Sequence, residues 1–171
     1  MREWLLTFYI LTFALIIQAQ ENIPTTETIY IEGAVKKSKE IKISELLTHK
    51  QEYLDSLPIY NHKMEYKKTL KKLKTVLLKD MLESVEFDVP GAKWLSEFYI
   101  VCVASDNYKV VFSWNEIFNS DIGKKLAVIV EENGKPIQQS EDRISLISPS
   151  DYATGRRYVK GLSKIIIKRA G

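Results

Sequence analysis

Three cations, Arg156, Arg157 and Lys160, stand within five residues directly after Gly155. An arginine fork matches a phosphate or carboxylate in a bidentate way, and a glycine beside it lets the backbone turn closely. The pattern predicts candidate contacts to a small anionic ligand, with a solvated loop end as the alternative reading of the same charges. The other chemically versatile residues are scattered. Cys102 is the only cysteine, so intramolecular disulfides and Cys-x-x-Cys metal sites are excluded. It lies in the apolar run Phe98–Val103, where a thiol behaves as a small hydrophobe. His49 and His62 stand alone in polar segments, a poor pattern for a metal. The chain has no Gly-x-Ser-x-Gly elbow, no phosphate-cradling glycine loop and no His-Glu-x-x-His. Glu131-Glu132 and Glu141-Asp142 adjoin turn residues, where solvation accounts for them. No catalytic residue and no metal ligand is assigned.

The elements that must position these residues begin after an address segment. Arg2 precedes an almost unbroken apolar run, Trp4 to Ile17, and Gln18-Ala19-Gln20 offers a cleavage site. Residues 1–20 therefore read as a signal peptide, with an uncleaved anchor as the competing reading, because the run is short for a membrane span. Residues 21–28, with Pro24 and three threonines, read as a flexible leader. The remainder, about 150 residues, suffices for one domain with one core, placed at 29–171. No second long apolar stretch follows, so no stable membrane insertion is expected after cleavage, and delivery is to a bacterial periplasm or the exterior. The net charge of +3 includes a lysine-rich stretch at 63, 67, 68, 71, 72, 74 and 79. It lacks the aromatic interleaving of single-strand binders, so it reads as a solvated face, and nucleic acid is not an expected partner.

The coarse pattern is strand-rich. Residues 29–31 followed by Gly33 read as a strand and turn, and 41–43 as a strand edge. Ser44 sits where a helix N-cap belongs, predicting a helix over 44–54. The segment 58–85 is ambiguous. Leu70, Leu73, Leu77 and Met81 recur at helical spacing, yet a strand after a turn at Asn61-His62-Lys63 fits equally. Strands follow at 98–103 and 109–114 around the Asp106-Asn107 turn, then a helical turn at 115–119. A strand at 126–130 closes on Asn133-Gly134, and strands at 144–147 and 165–168 complete an α+β, mainly β fold.

Several of these segments together resemble the molybdopterin-binding domain of sulfite-oxidase-type oxidoreductases. Ile31-Glu32-Gly33-Ala34-Val35 is similar to that family's Val-x-Gly-x-Val strand, and Ile43-Ser44-Glu45-Leu46-Leu47 to the strand-to-helix step after it. Asp106-Asn107-Tyr108 resembles its Asp-Gly-Tyr turn, Asn133–Ile137 its Asn-Gly-x-Pro-Leu turn, and Gly155–Lys160 its Gly-x-Arg-x-Val-Lys segment. The resemblance covers about residues 29–168. It favours a hairpin over 57–74 and a helix over 76–85, with Thr75-Val76-Leu77-Leu78 matching the family's Gly-Val-x-Leu.

What the resemblance implies is also where this chain departs. The family's molybdenum is held by a cysteine thiolate on the loop after the strand at 57–60, and this chain has Tyr60-Asn61-His62-Lys63-Met64 there. The family's histidine and arginine in a His-Gly-x-Pro-x-Arg lead-in become Ser140 and Ser145, with Glu141 and Asp142 between them. Arg157 and Lys160 keep positions where the family places basic contacts, and Arg156 adds a third. The expectation is a degenerate member without molybdopterin, an exported binding or accessory module for a small anionic ligand or a partner protein. The alternatives are an active molybdopterin-dependent oxidoreductase with an unusual ligand set, and a purely structural interaction domain.

Overall fold

The computed structural model describes residues 25–171 apart from Asp142. Ten strands form two five-stranded sheets: β1 Thr28–Gly33, β2 Lys39–Lys42, β3 Glu52–Tyr60, β4 Tyr66–Leu77, β5 Phe98–Ala104, β6 Lys109–Ser113, β7 Ala127–Glu132, β8 Lys135–Pro136, β9 Ser145–Ile147 and β10 Leu162–Arg169. Among the described residues three short α-helices connect them: α1 Ile43–Leu46, α2 Leu78–Leu82 and α3 Trp114–Phe118. The fold is α+β and mainly β. Among the described residues no helix is long and apolar enough to cross a membrane. The signal peptide expected at 1–20 lies outside the described residues, as do residues 21–24 of the expected leader. In the rest of that leader Thr26 is buried and Thr28 opens β1, while Thr25 and Glu27 are exposed.

The first sheet runs β2-β1-β10-β5-β6, with β1 and β10 parallel and the other pairs antiparallel. Alternating apolar residues on its strands, such as Ile29 and Ile31, Ile100 and Cys102, Val110 and Phe112, Ile165 and Ile167, are buried in the main core. The close passage of β1 past β10 requires Gly33. Its φ is 102°, and a β-carbon there would lie 2.1 Å from the Ile167 carbonyl oxygen.

The second sheet runs β3-β4-β7-β8, with β9 also on β7. It buries side chains on both faces. Val76, Val128, Val130 and Leu146 join the main core, while Leu57, Ile59, Leu70, Leu73, Ile129 and Ile147 form a second cluster with Leu54 and Tyr158.

The hairpin reading of 57–74 holds, and the single long helix over 58–85 does not form. The three-residue spacing of Leu70 and Leu73, helical on paper, comes from a break in strand alternation. Lys71 and Lys72 are both exposed, Lys72 takes a φ of 51°, and Leu73 thereby returns to the apolar face. Two helices are shorter than expected. The helix placed at 44–54 stops at Leu46, with Lys42 rather than Ser44 at its N-cap, because pairing with β4 claims the chain from Glu52 onward. The helix placed at 76–85 begins at Leu78, since Val76 and Leu77 still pair with β7. Trp114 leaves β6 for α3 because Ser113 caps that helix.

Cys102 is fully buried in β5, and burial pushes its thiol from 9.0 up to about 12. A thiol reagent is expected to label Cys102 only when denaturant opens the fold, and equal rates with and without denaturant would contradict this placement. Cys102→Ser should cost about 1–3 kcal/mol by burying a poorly paired hydroxyl, measurable by denaturant unfolding.

Candidate functional site

The chain between β9 and β10 crosses from the second sheet to the first and carries the expected cation cluster. Its 3-10 turn, Thr154–Arg157, is fastened to the edge of β3. The Thr154 hydroxyl donates to the Pro58 carbonyl (2.6 Å) and accepts from the Tyr60 N–H (3.0 Å), acting as a rung on that strand. Gly155 lies so close to β3 that a β-carbon there would sit 2.7 Å from the Tyr60 carbonyl oxygen. On the other side, the Tyr108 hydroxyl donates to the Arg156 carbonyl. Tyr108 is itself set by Asp106, whose carboxylate accepts the Tyr108 N–H at 2.8 Å, around Asn107 at a φ of 69°. The structure thus brings together three segments singled out in the sequence: the 60–64 turn, the 106–108 turn and the 154–160 loop. The Asn133-Gly134 turn stands apart between β7 and β8.

The three cations do not act as one cluster. Arg157 is committed to the chain's own carboxylates. Its Nε donates to Asp151 Oδ2 at 2.7 Å, one terminal nitrogen to Asp151 Oδ1 at 2.5 Å, and the other to Glu116 Oε1 at 2.9 Å. The guanidinium lies over the buried Phe112 ring, 4.3 Å from its centre. Arg156 is exposed, and the Lys160 ammonium lies 5.9 Å from the centre of the Tyr158 ring.

Glu116 serves two partners at once. One oxygen closes the capping box of α3, accepting the Ser113 N–H at 2.7 Å while Ser113 Oγ accepts the Glu116 N–H at 3.1 Å. The other oxygen receives Arg157. Burial alone would raise the Glu116 carboxyl, but the Ser113 amide, Arg157 and the Ser113 hydroxyl outweigh it and hold the group below its ordinary value. The Asp151 hydrogen bonds, opposed by burial and helped by Glu116, hold Arg157 above its ordinary range. Glu116 and Asp151 went unassigned in the sequence. The Ser113-Trp114-Asn115-Glu116 spacing was the available signal for Glu116, since Ser-x-x-Glu before a helix marks a capping box. Asp151 carried none.

The turn that would carry the metal ligand in the resembled family does not fit molybdenum. Asn61 closes it on itself, its Oδ1 accepting the N–H groups of Lys63 (2.9 Å) and Glu65 (3.0 Å) and its Nδ2 donating to Glu65 (2.8 Å). His62 is exposed, no thiolate is offered, and Cys102 is buried in the other sheet. His49 lies just after α1, away from this turn in the chain. Among the described residues no three His, Cys, Asp or Glu side chains group as metal ligands. Ser145, where the family has an arginine, is buried in β9, and Arg143 pairs with Glu27.

The fold has a counterpart among solved structures. The sulfane dehydrogenase SoxCD of Paracoccus pantotrophus superposes on 85% of this chain and 40% of its own, with a TM-score of 0.60 and 12% identity. The chain thus spans about two-fifths of that protein's length, and at this identity the likeness is one of fold. The architecture is compatible with the sulfite-oxidase-type domain that the sequence resembles. No protein-family profile and no curated protein matches the sequence.

The Arg157 contacts predict their own test. Arg157→Ala strands two partly buried carboxylates and should cost about 1–3 kcal/mol, with Arg157→Lys recovering only part because an ammonium cannot span both partners. Because the Glu116 carboxyl is depressed in the fold, its contribution is present above the ordinary glutamate value of 4.5 and is lost as pH falls through its lower native value. The stability gap between the parent protein and Glu116→Gln should therefore narrow on acidification, measured by denaturant unfolding at neutral and acidic pH. An unchanged gap, or an Arg157→Ala protein as stable as the parent, would remove the clamp from the account.

Proposed function

We propose that this chain is an exported, non-catalytic binding or accessory module built on an oxidoreductase-type fold. The observation that carries the proposal is the pairing of Arg157. In the resembled family a cation at this position serves a cofactor phosphate, whereas here Asp151 and Glu116 neutralise it from both sides. A phosphate displacing them would exchange one set of charge-assisted bonds for another, leaving Asp151 without its cation and Glu116 with only its Ser113 bonds. The self-closed Asn61 turn, with no thiolate, supports the same reading from the metal side. The Arg2 and Trp4–Ile17 pattern supports export.

The reading favours a partner protein over a small anion. A small anion would rely on Arg156 and Lys160 without Arg157. A partner can use the exposed surface around the loop, which the clamp holds in a fixed shape.

Protein purified from a molybdenum-replete host that makes the pterin cofactor is expected to lack both. Elemental analysis should find no stoichiometric molybdenum, and oxidation should release no fluorescent pterin. Stoichiometric recovery of either would return the chain to the oxidoreductases.

A further inference from the structure

We infer that the rim formed by the 60–66 turn and the 151–157 loop is a docking surface for an acidic segment of a partner protein carrying aromatic or aliphatic anchors. The inference rests on the binding-module reading and gives it a surface and a partner chemistry. The rim concentrates side chains that a monomer has little reason to expose. Tyr152 is 91% exposed at the loop tip, and Met64 and Tyr66 are more than half exposed in the facing turn. Tyrosine, methionine and arginine are the types enriched where partners bury surface. The two segments adjoin: the Tyr66 ring lies 6.1 Å from the Tyr60 ring, the Tyr60 carbonyl oxygen meets Gly155, and Tyr108 reaches the Arg156 carbonyl.

Charge names the partner. Lys63, Lys68 and Arg156 lie on the same two segments and are exposed, and Lys67 beside them is shared with Glu65. Nearby acids are already engaged: Glu65 by Asn61 and Lys67, Asp151 by Arg157, and Asp106 by the Tyr108 amide. A complementary ligand is therefore acidic, and long enough to meet cations on two separate elements, which a single phosphate is not. Nucleic acid fits less well. The Tyr60 and Tyr66 rings meet edge to face at 70°, so they offer bases no parallel stacking platform. The surface is also pre-organised, because Thr154, Gly155 and Arg157 hold the loop whether or not a partner is present.

The test is fluorescence anisotropy with the full chain and a labelled peptide alternating glutamate with leucine and phenylalanine. Its comparators are the same peptide with lysine for every glutamate, polyglutamate, a single-stranded oligonucleotide and phosphatidylglycerol vesicles. Saturable binding of the acidic apolar peptide is expected, weakening as salt rises and tighter than every comparator. Lys63→Glu and Arg156→Glu should each weaken it about tenfold, and Tyr152→Ser comparably, while Lys36→Glu, a control pointing elsewhere, should not. Tyr152 is so exposed that its replacement leaves folding intact, which circular dichroism verifies. Absent binding, equal or better binding of any comparator, or indifference to the Lys63, Arg156 and Tyr152 substitutions would overturn the inference. If any of these occurs in protein free of molybdenum and pterin, only the docking surface falls. Recovery of the cofactor would instead remove the reading beneath it.

Discussion

The placement of β10 is the constraint on which the rest of the structure depends. The last strand of the chain lies at the centre of the first sheet, parallel to β1 on one side and antiparallel to β5 on the other. Until it is in place, the β1–β2 and β5–β6 hairpins share no edge, and the buried faces of Leu162, Ile165 and Ile167 have no counterpart. Pairing between the beginning and end of a chain closes a long loop, a cost that only the completed core offsets. It also dictates the path just before β10. The chain must leave β9 in the second sheet and reach the first, and the bridge between Leu146 and Val159 and the Leu162 N–H to Ile144 carbonyl bond (2.6 Å) guide that crossing.

The crossing segment has few apolar residues of its own, so polar contacts hold it. Their strengths differ. Exposed pairs such as Lys36 with Glu86 or Lys124 with Asp121 contribute little, because water screens them. The Arg157 pairs are half-buried and lie on an aromatic face, the one with Asp151 bidentate, conditions under which charge-assisted bonds contribute about 1.5–3 kcal/mol. Arg157 therefore dominates the polar anchoring of this loop. Because Glu116 also caps α3, the helix start and the loop are fixed by one carboxylate, and neither can shift without the other.

The strands were legible because their apolar alternation and their turn residues agree. Asn107 and Asn133 occupy left-handed positions, as the Asp-Asn and Asn-Gly signals imply. Helix lengths were not legible. Local propensity at Ser44 and Val76 lost to strand pairing from residues far away, which no local window contains. Part of the 58–85 ambiguity, the spacing of Leu70 and Leu73, comes from the left-handed Lys72, a residue with no sequence mark for that role. At the site, the resemblance tied the 60–64 turn and the 154–160 loop to one cofactor, whereas the arrival of the 106–108 turn beside them is a product of the fold. The fate of Arg157 was not legible either, because it turns on Asp151, six residues away around a turn, and on Glu116, reached only through the fold.

Arg157 also shows why a retained cation is weak evidence for a retained ligand. An arginine serves an incoming anion only while its charge is unbalanced in the empty protein. With its fork on Asp151 and its other nitrogen on Glu116, Arg157 meets an external phosphate only by giving up those bonds. The same bonds make it a brace. It keeps the 151–157 loop rigid and leaves Tyr152 and Arg156 turned outward, on the rim where the fold also exposes Met64 and Tyr66. On one scaffold the same residue type can thus belong to a cofactor pocket or to the support of an outer surface. What separates the two is whether a carboxylate stands opposite it, which is why the site rather than the fold must carry the functional argument.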